Sequence, residues 1–110
     1  MERAISLERL SAPRHPQLGL HLGSFGVLLL ELDELEEAER HLVEAVGLLE
    51  GGDPVDLGRA CAHLAGVVYR RGRPEGARAL LQQAAALLLP RLPPGHPELE
   101  AVMNGLAQVG

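Results

Sequence analysis

Aromatic side chains are nearly absent: the 110 residues include no tryptophan, one phenylalanine and one tyrosine. Strands favour aromatic and β-branched side chains, whereas leucine and alanine, which dominate the apolar fraction here, favour helices. Hydrophobic residues make up 46% of the chain, which is enough to form a packed core. The composition therefore predicts one small all-α domain over residues 1–110.

The chain also lacks lysine, a positive net charge, paired cysteines and long apolar runs. Arginine occupies all ten Lys or Arg positions, and the formal net charge of −5 argues against a nucleic-acid partner. A single cysteine, Cys61, excludes an intramolecular disulfide and fits a reducing cytoplasm. The longest apolar runs, residues 27–30 and 84–90, are too short to span a bilayer. We therefore expect a cytoplasmic protein that binds neither nucleic acid nor membrane.

Three X-Pro pairs punctuate the sequence: His15-Pro16, Asp53-Pro54 and His96-Pro97. Proline is favourable in the first turn of a helix, so each pair predicts a helix start. The two intervals between successive prolines are similar, and the second is slightly longer than the first. This spacing indicates a repeat whose loops vary in length.

Each proline is followed by a similar pair of apolar segments. In the first segment a large apolar residue precedes a small one, as in Phe25-Gly26, Leu64-Ala65 and Leu106-Ala107. In the second segment alanines flank a leucine, as in Ala38, Leu42 and Ala45, and again in Ala77, Leu81 and Ala84. Residues three and four apart share one helix face, and a small residue lets the partner helix approach closely. Each unit is therefore predicted to be a helix–turn–helix, with breaks at Asp33 and Gly72.

These residues resemble the tetratricopeptide repeat family, and its kinesin-light-chain-like variant in particular. That family has a large–small pair in the first helix, a glycine at the turn, and an alanine, an apolar residue and another alanine in the second helix. His-Pro pairs before helices are typical of the longer variant. The resemblance implies an α–α superhelix of antiparallel helix pairs, in which the first helices line a concave surface that holds a peptide.

In this register we expect six helices, near residues 2–11, 16–32, 34–50, 54–72, 74–90 and 96–108. Residues 16–52 and 54–92 form complete units, whereas residues 1–11 and 96–110 form partial units. The last partial unit is expected to leave apolar residues largely open, namely Leu99, Val102, Met103, Leu106 and Val109.

The partial units allow two interpretations. The sequence is either an excised piece or gene fragment of a longer array, or a module that self-associates through the terminal helices 2–11 and 96–108. A further alternative is a sensor or regulatory domain of a larger bacterial protein. Charge asymmetry favours attraction between copies, because residues 31–50 carry eight acidic residues and one arginine, whereas residues 55–91 carry six arginines and two acidic residues.

The resemblance also implies a set of groove-facing positions: Leu20, Gly23, Val27, Leu30, Glu31, Arg59, Ala62, Gly66, Tyr69, Arg70, Asn104 and Gln108. Asn104 matches the asparagine with which many such repeats hold a peptide backbone. Arg59 and Arg70 are suited to hold a carboxylate, which makes an acidic peptide the expected ligand. The alternative is that these arginines are solvated or pair with nearby acidic residues. The predicted partner-binding residues are Leu20, Val27, Leu30, Arg59, Tyr69, Arg70, Asn104 and Gln108.

No pattern of catalytic or metal-ligating residues is evident. His15 and His96 precede prolines, where a role in the turn suffices, and the other histidines lie on different predicted helices. His63 and Cys61 are two residues apart and so lie on different faces of one helix. No nucleophile–base arrangement can be identified. We therefore expect no metal, no cofactor and no enzymatic activity, and a scaffold that binds a protein or peptide as the function.

Overall fold

The computed structural model describes residues 16–109, and the regular structure within that range is entirely α-helical. Its five helices are α1 (Pro16–Glu31), α2 (Leu35–Leu49), α3 (Pro54–Arg70), α4 (Pro74–Leu88) and α5 (Pro97–Val109). Every predicted boundary in this range is within two residues of the observed one. The predicted helix 2–11 lies outside the described residues.

Consecutive helices pack against each other along the chain. The contacts are most extensive within the pairs α1–α2 and α3–α4. Contacts between α2 and α3 join the first pair to the second, and contacts between α4 and α5 join the second pair to the last helix. Helix α1 also contacts α3, so the first helices of successive pairs are neighbours. This arrangement confirms the predicted all-α architecture of stacked antiparallel helix pairs. The division into units 16–52 and 54–92 within a single domain stays a prediction.

The turns inside the two pairs have the same backbone geometry. Asp33 has φ 64°, and Gly72, at the equivalent position of the second pair, has φ 83°. In the first turn the amide of Glu34 donates to the carbonyl of Leu29 and the amide of Asp33 donates to that of Leu30. Arg73 and Gly72 repeat these bonds to Val68 and Tyr69. Both turns are therefore Schellman motifs that use the last carbonyls of the first helix.

Close approach within each pair depends on small residues in the first helix. A Cβ built on Gly19 would lie 2.9 Å from Cγ of Leu49, and one built on Gly58 would lie 2.8 Å from Cγ of Leu88. The two glycines occupy equivalent positions of the repeat, and so do the two leucines, so the repeat seen in the sequence is also a repeat of packing. Each buried leucine contributes about 1.5–3 kcal/mol to the stability of the pair.

The apolar residues of the last helix, which the sequence predicts to be largely exposed, are only partly so. Leu99 and Val102 are 7% and 1% exposed, because they pack into the main core beside leucines of α4. The prediction that these two residues are largely open was therefore wrong. Leu106 and Val109 are half-buried, and Met103 is 47% exposed.

The acidic second helix is joined to the following pair by ion pairs. Oε1 of Glu39 accepts from Nη1 of Arg71 at 2.9 Å and from Nη2 of Arg73 at 2.5 Å. Glu39 therefore links α2 to the turn between α3 and α4.

Candidate functional site

A cleft lies between the first helices α1 and α3. Its volume is about 340 Å³. The α1 side is lined by small and apolar side chains, while α3 supplies the polar groups, and Leu49 of α2 closes the cleft. The lining residues are Gly19, Leu20, Gly23, Ser24, Val27, Leu49, Asp56, Arg59, Ala60 and His63. We call this the first cleft.

An equivalent cleft of about 150 Å³ lies between α3 and α5. We call it the second cleft, and it is lined by Arg59, Ala62, His63, Leu81, Leu88, Glu98, Ala101 and Val102. Asp56 and Ala60 of α3 correspond to Glu98 and Val102 of α5, and Leu49 of α2 corresponds to Leu88 of α4. The same site is therefore built twice, and the longer loop before α5 lengthens the spacing between its copies.

A third cleft, also of about 150 Å³, continues along α3 and α5 towards the C-terminal end of both helices. It is lined almost wholly by small and apolar residues: Ala62, Ala65, Gly66, Tyr69, Leu81, Ala101, Gly105, Gln108 and Val109. Tyr69 is 45% exposed, so its ring forms an accessible wall of this cleft.

Arg59 stands between the first and second clefts and lines both. Its Nε donates to Oε2 of Glu98 at 2.5 Å, and its Nη1 is 3.8 Å from Oδ1 of Asp56. The bond to Glu98 raises the pKa of Arg59, against the opposing effect of partial removal from water. Arg59 thus pairs with acidic residues of its own chain, which is the alternative that the sequence left open. One arginine and two carboxylates give these two clefts no excess of positive charge.

His63 lies one helical turn after Arg59 and also lines both clefts. Partial removal from water is the main cause that lowers the pKa of this imidazole, although the residue is exposed at the surface of the clefts. The positive charge of Arg59 lowers the pKa further, and Glu98 acts in the opposite direction. His63 is therefore neutral at pH 7 and presents a hydrogen-bonding group without charge to either cleft.

The structure brings some of the predicted partner-binding residues to these clefts and not others. Leu20, Val27 and Arg59 line the first cleft, and Tyr69 and Gln108 line the third. The remaining three, Leu30, Arg70 and Asn104, line none of the three clefts. Arg70 is exposed, and its Nη1 donates to the carbonyl of Leu30 at 3.4 Å. That any of these eight residues binds a partner stays a prediction.

Sequence reasoning missed Ser24, Asp56, His63 and Glu98 as lining residues. Ser24 of α1 and His63 of α3 occupy equivalent positions of the repeat, and so do Asp56 of α3 and Glu98 of α5. Matching polar residues at repeat spacing was a usable signal for these positions. The pairing of Arg59 with Glu98 could not be predicted from the sequence, because it depends on how α5 stacks beside α3.

Other polar groups of the described region have structural roles. His41 is 5% exposed, its Nδ1 donates to the carbonyl of Glu37 at 2.8 Å, and its ring meets Phe25 edge-on. His96 accepts the amide of Glu98 through Nδ1 at 3.2 Å, as expected at a helix entry. Cys61 is buried, and burial raises the pKa of its thiol.

The described part of the chain has neither a metal-ligand cluster nor a membrane-spanning helix. Residues 16–109 contain no group of three or more His, Cys, Asp or Glu side chains placed to hold a metal ion. Within the same range no helix has both the length and the apolarity needed to cross a membrane.

Comparison with known proteins identifies the repeat. Residues 57–98 match the model of the tetratricopeptide repeat family. The matched segment runs from the first turn of α3, through α4, to the first turn of α5, and thus contains the α3 and α4 residues that line the second and third clefts. No curated protein matches the chain. Repeats of this family mediate protein–protein interactions, and residues 57–98, within the stacked helix pairs, contain a repeat similar to those of the tetratricopeptide repeat family.

Proposed function

We propose that the chain is a non-enzymatic scaffold that binds a peptide segment of another protein along the face formed by α1, α3 and α5. The tetratricopeptide repeat supports the general role, since such repeats mediate protein–protein interactions. The observation that carries the proposal is the repeated cleft between first helices. Two equivalent clefts in a row suit a ligand that is itself linear and places successive side chains along the stack.

The lining of the clefts supports apolar anchor residues in the ligand. The first cleft has Leu20 and Val27 on one wall and Ala60 on the other, and its volume of about 340 Å³ is at the lower end for binding sites. Asp56, Arg59 and Ser24 offer polar groups at its edge. An apolar side chain seated there would be oriented by hydrogen bonds of its own backbone to these groups.

The preference for an acidic peptide stays a prediction and now depends on Arg70. Asp56 and Glu98 balance the charge of Arg59, whereas Arg70 makes only a long bond to a backbone carbonyl. Acidic ligands should therefore depend on Arg70 more than on Arg59. Arg70→Gln should weaken the binding of acidic peptides selected from a library and leave neutral ones unchanged.

The proposal is tested with a variant that fills the first cleft. Ser24 is exposed on α1 and lines this cleft, so Ser24→Trp should close the cleft without disturbing the core. Gln83→Trp is the matched control, because Gln83 is exposed on α4 and lines none of the three clefts. Peptides are selected on the full chain from a displayed random library, and their affinities are measured by fluorescence anisotropy.

The expected result is that selected peptides bind the wild type and the Gln83→Trp variant alike and lose at least tenfold in affinity for Ser24→Trp. Circular dichroism should show equal helicity in the three proteins. Equal affinity for both tryptophan variants would refute the placement of the ligand on this face.

A further inference from the structure

The charged residues that line the first and second clefts do not balance. Asp56 and Glu98 each contribute a carboxylate, Arg59 contributes a guanidinium, and His63 is neutral at pH 7. The carboxylates therefore outnumber the guanidinium. The negative charge of Asp53, the N-cap of α3, also acts on Arg59 and raises its pKa. A ligand that lies across both clefts is therefore exposed to a negative potential.

Both carboxylates can accept a further hydrogen bond. Glu98 accepts the Nε of Arg59 through Oε2, and no group of residues 16–109 donates to its Oε1. Oδ1 of Asp56 is 3.8 Å from Nη1 of Arg59, which is too long for a hydrogen bond. The side chains of Asp56 and Glu98 are 25% and 37% exposed. A donor on the ligand can therefore reach either carboxylate.

The acidic group is repeated from cleft to cleft, whereas the basic group is not. Asp56 and Glu98 occupy equivalent positions of α3 and α5, but the residues equivalent to Arg59 are Leu20 in α1 and Ala101 in α5. One arginine therefore serves two carboxylates. Apolar ligand side chains that filled both clefts would remove these carboxylates from water, which is unfavourable without a second cation.

We propose that the peptide segment bound along this face carries an arginine or lysine between two apolar side chains, one seated in each cleft, and that this cation pairs with Asp56 and Glu98. The inference rests on the proposed function, because it specifies the ligand of the same face. It concerns a different part of the ligand from an acidic residue held by Arg70. Arg70 lies about three turns, or about 16 Å, further along α3 than Arg59.

The test uses a variant of the full chain that changes the charge of the clefts and keeps their shape. Asp56→Asn and Glu98→Gln together remove both carboxylates and keep side chains of the same size; we call this the neutral-cleft variant. The matched control combines Glu36→Gln with Glu100→Gln. These two glutamates also lie in the first turns of helices, are exposed and line none of the three clefts. Peptides are selected on each protein from the displayed random library at low ionic strength.

Peptides selected on the wild type and on the control should be enriched in arginine or lysine relative to the unselected library, and those selected on the neutral-cleft variant should not. Fluorescence anisotropy should show that wild-type-selected peptides lose about fivefold in affinity for the neutral-cleft variant and bind the control as they bind the wild type. Replacing the basic residue of such a peptide by glutamine should weaken binding to the wild type and leave binding to the neutral-cleft variant unchanged. Circular dichroism should show equal helicity in the three proteins.

Two results would overturn this inference and leave the proposed function standing. In the first, selected peptides lose affinity for Ser24→Trp but are not enriched in basic residues. In the second, the enrichment persists on the neutral-cleft variant, or acidic residues are enriched instead and their contribution is lost with Arg59→Gln. If no selected peptide responds to Ser24→Trp, the proposed function fails and this inference fails with it.

Discussion

Two glycines in the first helix pair differ in their surroundings. A Cβ on Gly26 would lie 2.6 Å from Cγ of Leu42, so the absence of a side chain allows α1 and α2 to approach. A Cβ on Gly47 of α2 would have no neighbour within 4 Å. Gly47 therefore only lowers the helix propensity of α2, since glycine in a helix interior is unfavourable relative to alanine.

Alanine substitutions at these two positions should act in opposite directions. Gly47→Ala should raise the free energy of unfolding by about 0.5–1 kcal/mol through helix propensity. Gly26→Ala should lower it by about 1–3 kcal/mol, because the new methyl group would clash with Leu42, which is fully buried in the core. Urea unfolding followed by circular dichroism at 222 nm measures both changes. A loss of stability in both variants would contradict the open surroundings of Gly47.

His63 gives the stability a dependence on pH. Because the folded state lowers the pKa of His63 below its unfolded value, the unfolded chain binds more protons between these two pKa values. The free energy of unfolding should therefore rise with pH in that window and level off above about pH 6.5, the ordinary pKa of histidine. His63→Gln should flatten this slope, as measured by urea unfolding between pH 5 and pH 8. The difference in the free energy of unfolding between the two proteins should stay constant above pH 7.5. If His63→Gln left the pH dependence of this free energy unchanged below pH 7.5, this role of His63 would be excluded.

At the scale of whole elements, the turn between α1 and α2 uses a residue that is not suited to its backbone. Asp33 has φ 64°, in the left-handed region, where the equivalent turn of the next pair has Gly72. Residues with a Cβ are disfavoured in this region, although aspartate tolerates it better than most. The hydrogen bonds of the two turns are the same, so the difference is confined to the side chain.

Asp33→Gly should stabilise the protein by up to about 1 kcal/mol by relieving this strain, less the entropy that glycine adds to the unfolded chain. Asp33→Asn is the control, since it removes the same negative charge beside Glu31 and Glu34 while keeping a side chain. Thermal unfolding of the three proteins at one pH distinguishes the causes. If Asp33→Asn stabilised the protein as much as Asp33→Gly, the stabilisation would come from the loss of charge and not from relief of backbone strain.

The elements themselves were largely readable from the sequence. Proline marked the starts of α1, α3 and α5, and Asp33 and Gly72 marked the turns, because these residues act locally on the backbone. The burial of Leu99 and Val102 was not predicted, since it depends on how far the loop of residues 89–96 carries α5 before it packs on α4. Among the residues that line the first cleft, the repeat register predicted Leu20, Val27 and Arg59. The acidic partners of Arg59 could be identified only from the tertiary structure.

At the scale of the whole molecule, stability is distributed unevenly along the stack. Helix α3 packs between neighbours on several sides and has seven buried residues, whereas α5 has two. In arrays of this kind each element is stabilised only by its neighbours. Arg78 of α4 donates to the carbonyl of Val109 at 2.7 Å and so holds the C-terminal end of α5.

Hydrogen exchange should therefore be faster for the amides of α5 than for those of α3 under native conditions. Arg78→Ala should accelerate exchange in the last turn of α5 and leave α1 unchanged, because the lost bond is local. Exchange measured by mass spectrometry on peptic fragments resolves these segments. Equal protection of α3 and α5 would show that the described helices open as one cooperative unit.

The position of Arg59 affects how neighbouring side chains of a bound partner would contribute to the affinity. Its guanidinium forms part of the walls of two adjoining clefts, together with the imidazole of His63. A ligand side chain that displaces Arg59 from the first cleft changes the space available in the second cleft. Substitutions at two neighbouring ligand positions would then change the affinity by an amount different from the sum of their separate effects. A double-mutant cycle on the ligand would detect this coupling without any change in the scaffold.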